Sequence, residues 1–341
     1  MKKEYIIPIF VPHLGCPNDC TFCNQKKISG QKTNINKNDV KNTIEFFLRN
    51  FKESDRKVEV AFFGGSFTGI DTHVQEELLA TAYNYIKMGK VDSIRISTRP
   101  DYINQDILDL LKKYNVKTIE LGVQSANDFV LQKCRRGHTF EDVKIASKLI
   151  RKNKFILGHQ MMVGLPDSDQ KDEIETAKKL IKLKPQIIRI YPVLVIKGTV
   201  LAEDYARGEY VPNTLEQAVE TSSILLKMFN KKGIDVIRIG LQSTDEICNP
   251  ANEGSQVVAG PYHPAFRQLV ESRICYDEIS RKIGKLNNKV KKVKFAVNEN
   301  YINNFIGHKK ENINRLKEIY NVDVIVERND DVKDFKIVET A

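Results

Sequence analysis

The stretch Tyr5-Ile6-Ile7-Pro8-Ile9-Phe10-Val11-Pro12-His13-Leu14-Gly15-Cys16-Pro17-Asn18-Asp19-Cys20-Thr21-Phe22-Cys23 runs from an apolar segment into three cysteines spaced C-x3-C-x2-C. The run Tyr5–Val11 reads as a buried strand and the cysteines as the loop that follows it. Three thiolates within eight residues can grip one metal centre and leave one coordination position unfilled. An iron–sulfur cube normally takes four cysteine ligands, so a site that supplies three leaves one iron open to a small molecule. A zinc site completed by His13 uses the same ingredients, because Cys3His sets are common structural sites. Zinc ribbons usually pair two short cysteine clusters, whereas Cys134, Cys248 and Cys275 are scattered singly. Nothing in the chain suggests the oxidising compartment that disulfides require.

Outward from this stretch, apolar and β-branched runs recur at Val58–Phe63, Ser93–Ser97, Thr118–Val123, Ile156–Val163, Ile187–Tyr191 and Val236–Ile239. Helical periodicity fills the gaps at Asn38–Phe51, Thr72–Met88, Gln105–Tyr114, Phe140–Arg151, Gln170–Leu183 and Leu215–Lys232. Strand–helix alternation of this kind predicts an α/β fold with a parallel sheet. About six or seven repeats favour a partial or full TIM-like (β/α) barrel over an open sheet. The loops that follow the strands then gather at one face. They are Cys16–Cys23, Gly64–Gly69, Ser97–Asp101, Gly122–Ser125, Gly164–Pro166 and Tyr191–Thr199. Active sites of βα barrels are built on that face, so the topology itself points to an enzyme.

The chain has 341 residues, 41% hydrophobic and 29% charged, as expected for an ordinary soluble protein with one large core and a small second domain. The first residues form an apolar run too short for a signal peptide, and no stretch approaches the ~20 apolar residues of a membrane helix. Six cysteines without a secretion signal point to the reducing cytoplasm and to no membrane partner. The net charge of +10 is uneven: from Arg281 to Lys317 there are 11 Lys and Arg against Glu299 and Glu311, a local net of +9. A concentrated basic segment suggests a polyanionic partner.

The cysteine spacing resembles the signature of the radical S-adenosylmethionine (SAM) superfamily. Gly64-Gly65-Ser66 after the second strand is similar to that family's Gly-Gly-Glu motif, with Ser66 in place of the acid. By itself a Gly-Gly could equally be a turn between strand and helix. Ser97-Thr98-Arg99-Pro100-Asp101-Tyr102-Ile103, Glu120-Leu121-Gly122-Val123-Gln124-Ser125, Arg136-Gly137-His138-Thr139 and Leu194-Val195-Ile196-Lys197-Gly198-Thr199 resemble motifs of the Elongator catalytic subunit, within the coproporphyrinogen-oxidase-like branch.

The resemblance implies that Cys16, Cys20 and Cys23 hold a 4Fe–4S cluster whose open iron takes SAM. Reductive cleavage of SAM would then give a 5′-deoxyadenosyl radical. Gly64, Gly65 and Ser66 would meet the methionine amino group. Ser97, Gln124 and Arg136 would contact the ribose and carboxylate, and Gln160 would lie near the ribose or adenine. Phe10 and Phe22 would flank the cluster and adenine. Read without the family, the Arg136 segment could equally be a helix end facing solvent. Tyr191, Lys197 and Tyr262 are the substrate-side catalytic candidates.

The implied activity is modification of the wobble uridine of transfer RNA, with a flavodoxin or ferredoxin as electron donor and an acyl-CoA as a further reactant. Members of the Elongator group carry an acetyltransferase domain for which the remaining sequence is too short. A small-molecule radical SAM oxidoreductase of tetrapyrrole type and a non-enzymatic iron–sulfur RNA-binding protein are the alternatives. The expected domains are a barrel over 1–250, an extension over 251–285 and a small α+β domain over 286–341. In this last segment Phe305-Ile306-Gly307-His308-Lys309-Lys310-Glu311 is similar to a KH-type RNA-binding domain, with Gly307, His308, Lys309 and Lys310 as the backbone-clamping loop. A solvated basic hairpin that caps the barrel is the alternative reading of that segment.

Overall fold

The computed structural model describes residues 3–11, 20–24, 35–51, 56–287 and 290–341. Cys16 and His13 lie outside the described residues. The strands are β1 (Lys3–Val11), β2 (Arg56–Gly64), β3 (Ser93–Thr98), β4 (Val116–Gln124), β5 (Ile156–Val163), β6 (Ile187–Pro192), β7 (Val195–Ile196), β8 (Asp235–Ile239), β9 (Val257–Ala259), β10 (Lys292–Val297), β11 (Asp323–Arg328) and β12 (Phe335–Thr340). Seven of them form one parallel sheet in the order β1-β2-β3-β4-β5-β6-β8, curled into a half-barrel.

The predicted partial barrel is therefore the one observed. Each predicted strand and helix of this sheet is present, with ends shifted by at most two residues. The strands form because one face is continuously apolar: Ile7, Ile9, Val60, Phe62, Ile94, Ile96, Ile119 and Leu121 are essentially inaccessible. Helix starts are set by side-chain caps. Asn36 with Asp39, Thr139 with Asp142 and Asp169 with Asp172 form reciprocal capping boxes. The helices Asp128–Lys133 and Val200–Ala206 and the antiparallel pair β7–β9 were not predicted, being too short to carry a readable period. Among the described residues no helix is long and apolar enough to cross a membrane.

The chain divides into two compact units. The first comprises Met1–Thr214 and Leu225–Tyr262, and the second Leu215–Ile224 and His263–Ala341. The second unit contains a long helix, Phe266–Ile283, then β10, the helices Ile302–Ile306 and Glu311–Tyr320, and strands β11 and β12. β10 is central, parallel to β11 and antiparallel to β12. Cys275, Ile279 and Ile283 of the long helix share a buried core with Val293, Phe295, Phe305 and Leu316.

Candidate active site

The two glycines after β2 answer first to the sheet. Gly64 has φ +109°, and a Cβ there would lie 2.7 Å from the Val11 carbonyl oxygen of β1. The Gly65 N–H donates to that same oxygen at 2.9 Å. The next hydroxyl is fully engaged inside the protein: Ser66 is 1% exposed, its Oγ lies 2.8 Å from Thr98 Oγ1, and it accepts from the Arg99 N–H at 3.3 Å. Thr68 Oγ1 meets Thr98 Oγ1 at 2.6 Å. A buried hydroxyl cluster thus stitches the loop after β2 to the end of β3, beside half-buried Ser97. Thr68 and Thr98 were not singled out from sequence.

Cys20 and Cys23 share a tight turn, with the Cys23 N–H donating to Cys20 O at 3.0 Å. The Thr21 N–H bonds Cys134 O and the Leu201 N–H bonds Thr21 O, so the turn is held from two sides. Phe22 and Cys20 pack with Cys134, Leu165, Val193 and Tyr210. Burial pushes the Cys134 thiol up to about 12, so this cysteine is held as the neutral thiol. Arg136, 7% exposed, donates from NH1 to Cys20 Sγ at 3.2 Å and from NH2 to Gly122 O at 2.6 Å.

Gln124 closes β4 in a left-handed conformation, φ +70°, where a bulge interrupts its pairing with β5. Its Oε1 accepts from Gln160 Nε2 of β5 at 3.4 Å, which brings two predicted SAM contacts together. His138, buried two residues after Arg136, has its pKa lowered to about 4 by burial and by the charges of Arg136 and Arg99, so it is neutral at pH 7.

Deeper in the half-barrel lies a charged floor that sequence reasoning missed. Glu59 of β2 accepts from Arg95 of β3 at 2.7 Å, and Arg95 donates to Glu120 of β4 at 2.7 Å. Glu120 also accepts from Arg189 of β6 in a bidentate pair, from Nε and Nη2 along one guanidinium edge. β4 and β6 are two strands apart, and they connect because β5 presents Gly158 between them. A Cβ there would lie 2.9 Å from Glu120 Cγ. Burial alone would raise the Glu120 pKa, but Arg189 and Arg95 hold its carboxyl below the usual range. Arg189 donates to the Tyr191 hydroxyl at 3.4 Å and lies 5.2 Å from the Phe63 ring, itself 6.4 Å from Phe10. The signal available in sequence was a polar residue at every second position of strands otherwise apolar: Arg95, Ser97; Thr118, Glu120; Arg189, Tyr191.

The other two substrate-side candidates bond to residues outside Tyr191's network. Lys197 is exposed, its backbone N–H donating to Gln256 O at 2.9 Å, and the Tyr262 hydroxyl donates to Ser243 Oγ at 2.9 Å. The loop after β5 is tied down by Gly164, whose N–H donates to Glu173 at 2.5 Å and whose carbonyl accepts from Tyr210 at 2.6 Å. Burial raises the Glu173 carboxyl to about 7.

In the second unit, Gly307 (φ +80°) begins a loop in which Lys309 and Lys310 are both left-handed, φ 50° and 64°. A Cβ on Gly307 would lie 2.9 Å from Asn312 Cγ. Asn312, 6% exposed, donates to the carbonyls of Ser272, Asn304 and Phe305 at 3.1–3.2 Å. The loop's shape is thus set from beneath, while His308, Lys309 and Lys310 face solvent.

A model of the radical SAM superfamily matches residues 10–181, and a radical SAM C-terminal domain matches residues 185–275. The chain belongs to the radical SAM superfamily. It is an enzyme of that superfamily, whose cofactors are a 4Fe–4S cluster and SAM. It is 31% identical over 187 residues to the tRNA uridine(34) acetyltransferase of Methanocaldococcus jannaschii, covering 49% of this chain and 35% of that one. The chain thus spans about a third of that relative's length. It is 32% identical over 220 residues to an uncharacterized protein of the same archaeon, 61% of this chain and 67% of that one. Yeast Elongator complex protein 3 is 27% identical over 201 residues, 53% and 36% of the two chains. The fold matches that of the archaeal Methanocaldococcus infernus Elp3 lacking residues 1–46, with a TM-score of 0.62, 22% identity and coverage of 83% and 64%.

The donor set suits the cluster. Two thiols share one turn, and one of them already receives a guanidinium N–H, as a thiolate ligand would. Among the described residues, which do not include Cys16, no group of three His, Cys, Asp or Glu side chains is placed to hold a metal ion.

Proposed function

We propose that this enzyme modifies transfer RNA at the wobble uridine. The observation that carries the reading is the presence, in one radical SAM chain, of the exposed Gly307–Lys310 loop inside a segment of local net charge +9. The likeness to relatives named for uridine 34 of tRNA supports it. Exposed lysines on a short loop suit phosphates, and RNA binders of KH type clamp the backbone with such a loop.

In this reading Cys16, Cys20 and Cys23 hold the cluster and leave one iron for SAM. Gly64 and Gly65 offer backbone to the methionine end. Ser97, Gln124 and Arg136 meet the ribose and carboxylate, Gln160 lies near the ribose or adenine, and Phe10 and Phe22 flank the cluster and adenine. When bound, the two cofactors supply the means to take a hydrogen atom from an unactivated carbon. The chain's own residues position the reactants. Tyr191, steadied by Arg189, faces the substrate from the floor, with Lys197 and Tyr262 as further contacts. The electron comes from a flavodoxin or ferredoxin in the cytoplasm, and an acyl-CoA is the group donor.

The test is anaerobic incubation of reconstituted protein with SAM and dithionite, with and without transfer RNA, scoring 5′-deoxyadenosine. Transfer RNA is expected to stimulate its formation, and Lys309→Glu with Lys310→Glu to abolish the stimulation. Stimulation by a tetrapyrrole but not by RNA would move the assignment to small-molecule chemistry. No 5′-deoxyadenosine under any condition would leave an iron–sulfur RNA-binding protein.

A further inference from the structure

We infer that Arg136 is a positioning residue for the iron–sulfur centre: its guanidinium donates to the sulfur of Cys20 and thereby raises the potential at which the bound cluster accepts an electron. This rests on the reading of Cys20 as a cluster ligand. The two residues are 116 positions apart, so their contact, Arg136 NH1 to Cys20 Sγ at 3.2 Å, is made by the fold. The backbone is shaped to deliver it. Arg135 (φ +53°) and Gly137 (φ +69°) are both left-handed, on either side of Arg136, and the Arg136 N–H is fixed to Leu131 O at 2.9 Å. A non-glycine residue in that region is costly and persists only where its surroundings impose it.

The second anchor sets direction. A guanidinium is a planar fork, so fixing one edge fixes where the other points. With NH2 donating to Gly122 O at 2.6 Å, NH1 is aimed at the sulfur. A Cβ at Gly122 would crowd this arrangement, lying 3.3 Å from Arg136 Nη2 and 3.2 Å from Gln124 Nε2. One-electron reduction increases the negative charge carried by the cluster and its cysteine sulfurs. An N–H donor on such a sulfur favours the electron-rich form, and hydrogen bonds to sulfur are among the factors that set cluster potentials. The site is buried, which increases the effect of a fixed cation.

The test is a potentiometric titration of anaerobically reconstituted protein without SAM, followed by electron paramagnetic resonance. Leaving SAM out removes its carboxylate from the comparison. Arg136→Met, which keeps bulk and loses every donor, is expected to lower the midpoint potential at unchanged iron content. Arg136→Lys, which restores a charged donor without the fork, is expected to recover part of the shift. An unchanged potential in a fully loaded Met variant overturns the inference. If the Met variant does not take up iron, Arg136→Gln is read in its place by the same criterion. Failure of both to load while Lys loads also overturns it, because Arg136 would then assemble the site rather than tune it. Cys20→Ala checks the underlying reading separately: retention of about four irons there would remove Cys20 from the ligand set.

Discussion

The floor of the half-barrel gathers two glutamates and two arginines within a few ångströms, and the Gly307–Lys310 loop carries two adjacent lysines. On the floor each charge is buried or half-buried and answered by an opposite one: Glu120 is 3% exposed and is held between Arg95 and Arg189. On the loop the lysines are exposed, and order comes from the uncharged Asn312 below them. A closed buried network fixes geometry and is nearly insensitive to salt, whereas an open basic loop gives attraction that salt removes. The first is suited to positioning reacting atoms, the second to gathering a polyanion.

The sharpest way to break that contrast is Arg189→Ala. It removes one partner of a buried pair and leaves Glu120 with Arg95 alone. Breaking a buried ion pair from one side costs about 3–5 kcal/mol, so unfolding in denaturant should report a loss of that order. Glu120→Gln combined with Arg189→Ala should lose less than the two changes added, because they share one interaction. A loss below about 1 kcal/mol, the range of exposed pairs, would mean that the floor is not a closed network.

Asn312→Ala asks whether the loop contains a small buried network of its own. The change removes a donor from the carbonyls of Ser272, Asn304 and Phe305, of which Ser272 O stays within the long helix and Asn304 O keeps the Ser272 hydroxyl at 3.1 Å. Unsatisfied buried groups cost about 1–3 kcal/mol each, although water reaching the vacated space will reduce the sum, so a loss of about 2 kcal/mol is expected. RNA affinity should fall with it at every salt concentration, because loop shape rather than charge has been removed. If stability falls and affinity does not, the left-handed lysines do not depend on Asn312.

The same contrast explains what could be read in advance. The strands were legible because Ile94, Ile96, Ile119 and Leu121 keep a period of two under complete burial, and the helices because their caps and apolar stripes coincide. The loops after the strands were legible as a set from topology. The floor was not, because Glu59, Arg95, Glu120 and Arg189 belong to four strands and become partners only when the sheet curls and Gly158 opens the space between two of them. The hydroxyl cluster of Ser66, Thr68 and Thr98 was hidden for the same reason, since its members lie on a loop and on a strand end that meet only once β2 and β3 are paired. In the Gly307 loop the charge was plain in sequence. The left-handed backbone at Lys309 and Lys310 was not, because lysine carries no preference for it.

The smallest effect on stability, and the most specific on binding, is expected for Lys309→Glu with Lys310→Glu. Both side chains are exposed, so unfolding should change by no more than about 0.5 kcal/mol. The left-handed conformations are kept, because glutamate is strained there no more than lysine is. If each lysine neutralises one phosphate, the log–log slope of transfer RNA affinity against salt should flatten by about 1.4–1.8. Lys310→Gly divides the two contributions: it removes one charge and relieves one strained residue at φ 64°, so the slope should change by about half as much while stability rises slightly. A salt slope unchanged in the double variant would place the polyanion elsewhere on the basic segment, with Lys289, Lys291 and Lys292 the next lysines to replace. An affinity that falls equally at low and high salt would show that the loop, like the floor, works by geometry.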